Sequence, residues 1–162
     1  MKTYAILLSA LFFLTLPFAM STAAEPHATG DSDSRPEMVV YHDPNCGCCG
    51  KWMEHMREAG FTVRAKTTGA LHELKQNLGV PANLPSCHTA VVGDYIVEGH
   101  VPAADIERML SEKPDIAGIA VPGMPLGSPG MEYGNQRQAY DVVSFDDAGE
   151  TAVFNHYEAK LD

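Results

Sequence analysis

The sequence predicts a mixed α/β domain. Two observations carry that expectation: hydrophobic periodicity alternates between strand-like and helix-like along 38–113, and a C-x-x-C pair falls at the first strand-to-helix junction. Met38–His42 alternates and is rich in β-formers, so it reads as a strand. From Gly47 the spacing becomes helical, with Cys49, Trp52 or Met53 and Met56 on one side and Lys51, Glu54, Arg57 and Glu58 on the other. Gly60 is placed to close this helix. "FTVRAKT" reads as a second strand, and "GALHELKQNLGV" as a second helix with an apolar stripe of Leu71, Leu74 and Leu78. "CHTAVV", a "GD" turn and "YIVEGHV" read as a hairpin. Pro102, a residue favoured at a first helical position, opens a third helix carrying Ile106, Met109 and Leu110.

Strand, helix, strand, helix, hairpin, helix is the order of a minimal thioredoxin-like domain, a small mixed sheet flanked by helices. Such folds carry their C-x-x-C where Cys46 and Cys49 stand here. After Lys113 the composition shifts to Gly and Pro, and 115–138 is expected to form neither a regular helix nor a central strand. A β-hairpin around "DDAG" follows from Ala139. The expected organisation is one domain over 37–162, with an extension from about residue 114 wrapped on its first part.

The N-terminus reads as an export signal. Lys2 precedes an apolar run from Ala5 to Met20, and Ser21, Thr22, Ala23 and Ala24 supply small residues for cleavage, so 1–24 is expected to be removed. The apolar run is short for a membrane span, and no cysteine near the cut offers a lipid anchor. Residues 25–36 are polar and rich in turn formers, hence a flexible leader. The expected location is the periplasm, with no membrane attachment after cleavage. With 11 Lys and Arg against 21 Asp and Glu and no basic stripe, the chain is not built for nucleic acid.

Three of the four cysteines, Cys46, Cys48 and Cys49, crowd into "CGCC", and the fourth is Cys87. An exported chain would ordinarily pair four cysteines in two disulfides. Adjacent Cys48 and Cys49 rarely bond each other, whereas Cys46 and Cys49 close comfortably; Cys48 and Cys87 pair only if their segments meet. A helix N-terminus stabilises thiolate, which is both a nucleophile and a soft metal ligand. Staple, redox dithiol and metal site are therefore all open from the motif.

Residues elsewhere favour metal. Cys87 is followed by His88, His100 ends the hairpin, and the Gly/Pro loop carries Met124 and Met131. Thiolate, imidazole and thioether form the soft set that suits Cu(I). A tetrahedral zinc site draws on two separated cysteine pairs, and iron–sulfur spacings are absent. Crowded thiolates suit bridging between several metal ions. Against this, Met124 and Met131 are equally suited to packing, and Trp52, Met53 and Met56 read as core. His42 is placed beside the cluster, and His55, His72 and His156 read as surface residues.

"YHDPNCGCCGKW", "LPSCHTAVVGDYIVEGHVP" and "IAVPGMPLGSPGME" resemble three signatures of the CopG-type periplasmic copper-resistance proteins, over about Val39 to Glu132. The resemblance implies a thioredoxin-like fold with a cysteine-bridged, multinuclear copper site and a role in copper redox or handling. It makes Cys46, Cys48, Cys49 and Cys87 thiolate ligands and matches His88, His100, Met124 and Met131 to the family's remaining positions. The leading expectation is an exported copper-binding protein of copper tolerance, an oxidoreductase interconverting Cu(I) and Cu(II). Its partners would be copper ions and other periplasmic copper-resistance proteins or a redox partner. The alternatives are a thiol–disulfide oxidoreductase with Cys46 and Cys49 as catalytic residues, and a non-catalytic copper chaperone or buffer.

Overall fold

The computed structural model describes residues 35–161, so the expected signal segment and most of the leader lie outside the described residues. The elements follow the expected order: β1 (Met38–His42), α1 (Gly47–Glu58), β2 (Val63–Thr67), α2 (Leu71–Asn77), β3 (His88–Val92), β4 (Tyr95–Gly99), α3 (Ala103–Glu112), β5 (Gly118–Val121), β6 (Tyr140–Phe145) and β7 (Thr151–Tyr157). No helix among the described residues is long and apolar enough to cross a membrane.

All seven strands join one sheet, ordered β2-β1-β3-β4-β5-β6-β7. β1 runs parallel to β2 and antiparallel to β3, β3 and β4 form the expected hairpin, and β4 runs parallel to β5. The α/β class expected from the periodicity is the observed one. Side chains alternate between the two faces, as the pleat requires. Val97, Ile119 and Val121 join the main core with Trp52, Met53 and Met56 of α1 and Ile106 and Met109 of α3. Ile96 and Ala120 face the other way, into a smaller cluster with Val80, Leu84 and Phe145.

One expectation is corrected beyond Lys113. Gly118–Val121, inside the Gly/Pro-rich stretch, is an interior strand with all four residues buried, parallel to β4 and antiparallel to β6. Its run is short, apolar and covered on both faces, so it shows no alternation to betray it. Gly118 is needed there by proximity: a Cβ would stand 2.1 Å from the Ile96 carbonyl oxygen. Through β5 the C-terminal hairpin continues the sheet edge to edge, and Tyr140, Phe154 and Tyr157 pack against the main core. Buried Asp105 of α3 fastens it, accepting hydrogen bonds from Asn155 Nδ2 at 2.8 Å and the Tyr157 hydroxyl at 2.7 Å.

α2 is shorter than its apolar pattern predicts, and its most buried residue is Lys75 rather than a leucine. Pro102 caps α3 from just outside the helix, and Gly60 adopts a positive φ of 88° just past the end of α1.

Candidate metal centre

The site forms where the carboxyl end of β1, the first turn of α1 and the start of β3 converge. Cys46 is the N-cap residue of α1 and Cys48 and Cys49 lie in its first turn, because the chain must turn from strand to helix within a few residues. Cys46 and Cys49 are joined as a disulfide, the pairing that the C-x-x-C spacing allows. Cys48 and Cys87 are free thiols. The Cys48 thiol lies 3.5 Å from Cys46 Sγ and 3.7 Å from Cys87 Sγ. All four sulfurs lie within 4.8 Å of one another.

Cys87 also belongs to a second triad, with His88 and His100. His100 Nε2 is 2.9 Å from Cys87 Sγ, and its Nδ1 is 2.8 Å from the carbonyl oxygen of Pro129. A carbonyl only accepts, so Nδ1 carries the proton and Nε2 keeps a lone pair directed at the thiol. A backbone oxygen that fixes the tautomer in this way is the usual support of a metal-ligating histidine. His88 Nδ1 is 3.4 Å from Cys87 Sγ. Its ring packs 4.4 Å from that of Trp52, whose Nε1 donates to the Val101 carbonyl.

Electrostatics agree with a site made for neutral imidazole. Burial holds His88 well below the ordinary histidine range, reinforced by the neighbouring His100 and Lys75. Burial also lowers His100, partly opposed by the Pro129 carbonyl. Burial, then the nearby Cys48, pushes the Cys87 thiol up to about 12. A neutral cavity of this kind favours a soft cation that replaces the thiol protons.

The residues fit a soft metal ion. His88 turns Nδ1, the nitrogen it can offer a metal, toward the Cys87 sulfur, while its buried Nε2 lies on the diverging side of the ring, near the Gly99 carbonyl.

The Gly/Pro loop closes the site from the other side. Gly130, at φ 83°, lays its backbone directly on the first turns of α1, where a Cβ would stand 2.8 Å from Trp52 N and 2.9 Å from Cys48 O. That docking brings the Pro129 carbonyl to His100. It also sets Met131 beside Cys48, Gly47, Lys51 and Tyr133 in one surface pocket. Met124 stands 53 % exposed further back in the loop. His42 faces His88 across the β1–β3 pair, with its Nδ1 2.9 Å from the Asp43 carbonyl.

A support that sequence reasoning missed lies on the opposite face of the sheet. Glu98 of β4, fully buried, accepts from Lys75 Nζ at 2.5 Å, from the backbone N–H of Ser86 at 2.6 Å and from Thr89 Oγ1 at 2.6 Å. Ser86 in turn donates its hydroxyl to the Gly123 carbonyl. One carboxylate therefore holds the segment that ends in Cys87, and through Ser86 the start of the Met124 loop. The available signal was a lone glutamate in the apolar strand "YIVEG", opposite Thr89.

The segment 84–131 matches the family described as a protein of unknown function, DUF411. Two solved structures, forms 2 and 1 of the copper resistance protein CopG, are each 45% identical to the chain with a TM-score of 0.73. They cover 76% and 77% of this chain, which spans 99% of each of theirs. No curated protein matches. Identity and coverage of this extent mean that the chain belongs to the CopG family of copper resistance proteins.

Proposed function

We propose that this is an exported protein of copper tolerance whose cargo is a multinuclear Cu(I) cluster. Cys46, Cys48, Cys49 and Cys87 would hold it, with His88 and His100 completing the donor set. The carrying observation is the convergence of four sulfurs within 4.8 Å, with Cys87 shared by a second group that includes both imidazoles. Four sulfurs and two imidazoles exceed the four donors of one tetrahedral ion, and Cys87 belongs to both groups, so a bridging Cys87 thiolate supports more than one ion, and soft thiolate selects Cu(I). Thiolates stabilise Cu(I) and imidazoles accommodate Cu(II), which suits a site that interconverts the two. Met131, at the pocket beside Cys48, is better placed than Met124 to meet copper at the rim. The signal-like N-terminus supports a periplasmic location, where copper ions, other copper-resistance proteins or a redox partner would meet it.

The Cys46–Cys49 disulfide must be reduced before all four sulfurs can bind metal. Metal analysis and X-ray absorption on the reduced chain test the reading, with Cu–S scattering expected. The same disulfide favours a second reading, thiol–disulfide exchange on protein substrates by Cys46 and Cys49. A Cys87→Ser, His88→Ala variant separates them: the exchange reading keeps full activity there, whereas the copper reading loses copper stoichiometry. A non-catalytic chaperone or buffer would bind the same copper without turnover with an electron partner.

A further inference from the structure

Cys48 and Cys87 are the two thiols left outside the Cys46–Cys49 disulfide, and the fold brings them from 39 residues apart to 3.7 Å. Cys48 is at the same time 3.5 Å from Cys46 Sγ. Both separations are close to van der Waals contact between sulfurs. Closing either to the roughly 2.0 Å of a disulfide is an approach of about 1.5–1.7 Å between the sulfurs. Cys48 thus stands between a formed disulfide and a third cysteine sulfur.

The geometry points to a second redox pair, Cys48–Cys87, connected to Cys46–Cys49 by thiol–disulfide exchange through Cys48. In the first step the Cys48 thiolate attacks Cys46 Sγ. The Cys46–Cys48 bond forms, the Cys46–Cys49 bond breaks, and Cys49 leaves with the electron pair and takes up a proton equivalent to the one Cys48 gave up. In the second step Cys87 gives its proton to His100 Nε2, 2.9 Å away, and attacks Cys48 Sγ, forming Cys48–Cys87 and releasing Cys46, which takes up a proton in turn. One disulfide and two thiols are present throughout, so the rearrangement needs no outside oxidant. A disulfide oxidant such as glutathione disulfide, acting on the remaining two thiols, would store a second pair of oxidising equivalents in the same four sulfurs.

The proposal deepens the copper reading, resting on it only for its consequence: the position and number of disulfides would regulate how many thiolates face the metal. The fully reduced chain offers four sulfurs, the singly oxidised chain two, and the doubly oxidised chain none.

The test uses the full chain in the presence of a chelator, without copper. Protein carrying one disulfide is incubated without oxidant at mildly alkaline pH, quenched in acid, alkylated, digested and mapped by mass spectrometry. Expected is a population with Cys48 linked to Cys87 and with Cys46 and Cys49 alkylated. Excess glutathione disulfide should then yield both links and no alkylatable thiol. Cys48→Ser should freeze the chain at Cys46–Cys49. The proposal is overturned if Cys48 and Cys87 in the parent stay alkylatable or become glutathionylated in every sample. Rearrangement in Cys48→Ser would overturn the route through Cys48. A separate Cu(I) titration of the reduced chain keeps the two readings apart. No uptake, with the Cys48–Cys87 link formed, removes the copper reading alone; uptake without the link removes the relay alone.

Discussion

Glu98→Leu should be among the most destabilising single changes in the domain, although Glu98 touches no sulfur. The variant removes a fully buried carboxylate and leaves three donors behind: Lys75 Nζ, with its side chain 8% exposed, the Ser86 N–H and the Thr89 hydroxyl. Stranding one member of a buried ion pair costs roughly 3–5 kcal/mol, a large share of the ~5–15 kcal/mol that holds a domain folded. Lys75→Met strands the carboxylate instead and should cost about the same. The double variant Lys75→Met, Glu98→Leu removes both charges. Ser86 and Thr89 still lose a partner, but no charge is stranded, so the double variant should cost less than the two single changes added together. Urea unfolding of the reduced chain, read by linear extrapolation across the double-mutant cycle, measures the coupling. Single losses under about 1 kcal/mol, or additivity within about 0.5 kcal/mol, would refute the idea that this pair is a tightly coupled buried support. Because Ser86 precedes Cys87, the double variant should also bind copper more weakly.

His88→Phe removes the Nδ1 that faces Cys87 while keeping a ring against Trp52, so copper bound per chain should fall while thermal unfolding stays cooperative. Gly130→Ala should lower both thermal stability and copper uptake, by about 1–2 kcal/mol for the left-handed backbone plus the contacts with α1. Gly134→Ala, with positive φ but open space around it, should show only the backbone cost and leave copper uptake intact. His156 is raised above the usual histidine range, first by its hydrogen bond to Asp141 and also by Glu158. Its contribution to stability is therefore present below the unfolded value near 6.5 and lost as pH rises through the higher folded value. An NMR titration should show that raised value in the parent and a return toward 6.5 in Asp141→Asn.

Much of the fold was legible because local pattern and tertiary burial agree up to Lys113. The face of α1 read as apolar is the one that buries Trp52, Met53 and Met56. The "GD" turn sits between strands whose register pairs Val92 with Tyr95. β5 was hidden because four consecutive buried residues flanked by Gly and Pro carry no period. Lys75 and Glu98 were hidden because each looks like a solvated charge, and only the fold places them in contact. At the site, cysteine type and spacing pointed to a cluster, and the structure brings Cys87, His88 and His100 to it from the start of β3 and the end of β4. The part played by the Pro129 carbonyl was not readable, since a backbone oxygen leaves no mark in residue identity. Nor could sequence separate Met131, which lines the pocket at Cys48, from Met124, which is largely exposed.

The proposed copper site requires the four cysteine sulfurs to act together. Copper-to-protein stoichiometry of the fully reduced chain, titrated with Cu(I) under a competing ligand and read alongside X-ray absorption, tests it most directly. More than one tightly held copper per chain is expected, with sulfur dominating the first coordination sphere and a copper–copper distance in the scattering. A chain that stays copper-free with all four thiols reduced, or that binds copper equally well as Cys48→Ser, Cys87→Ser, would contradict it.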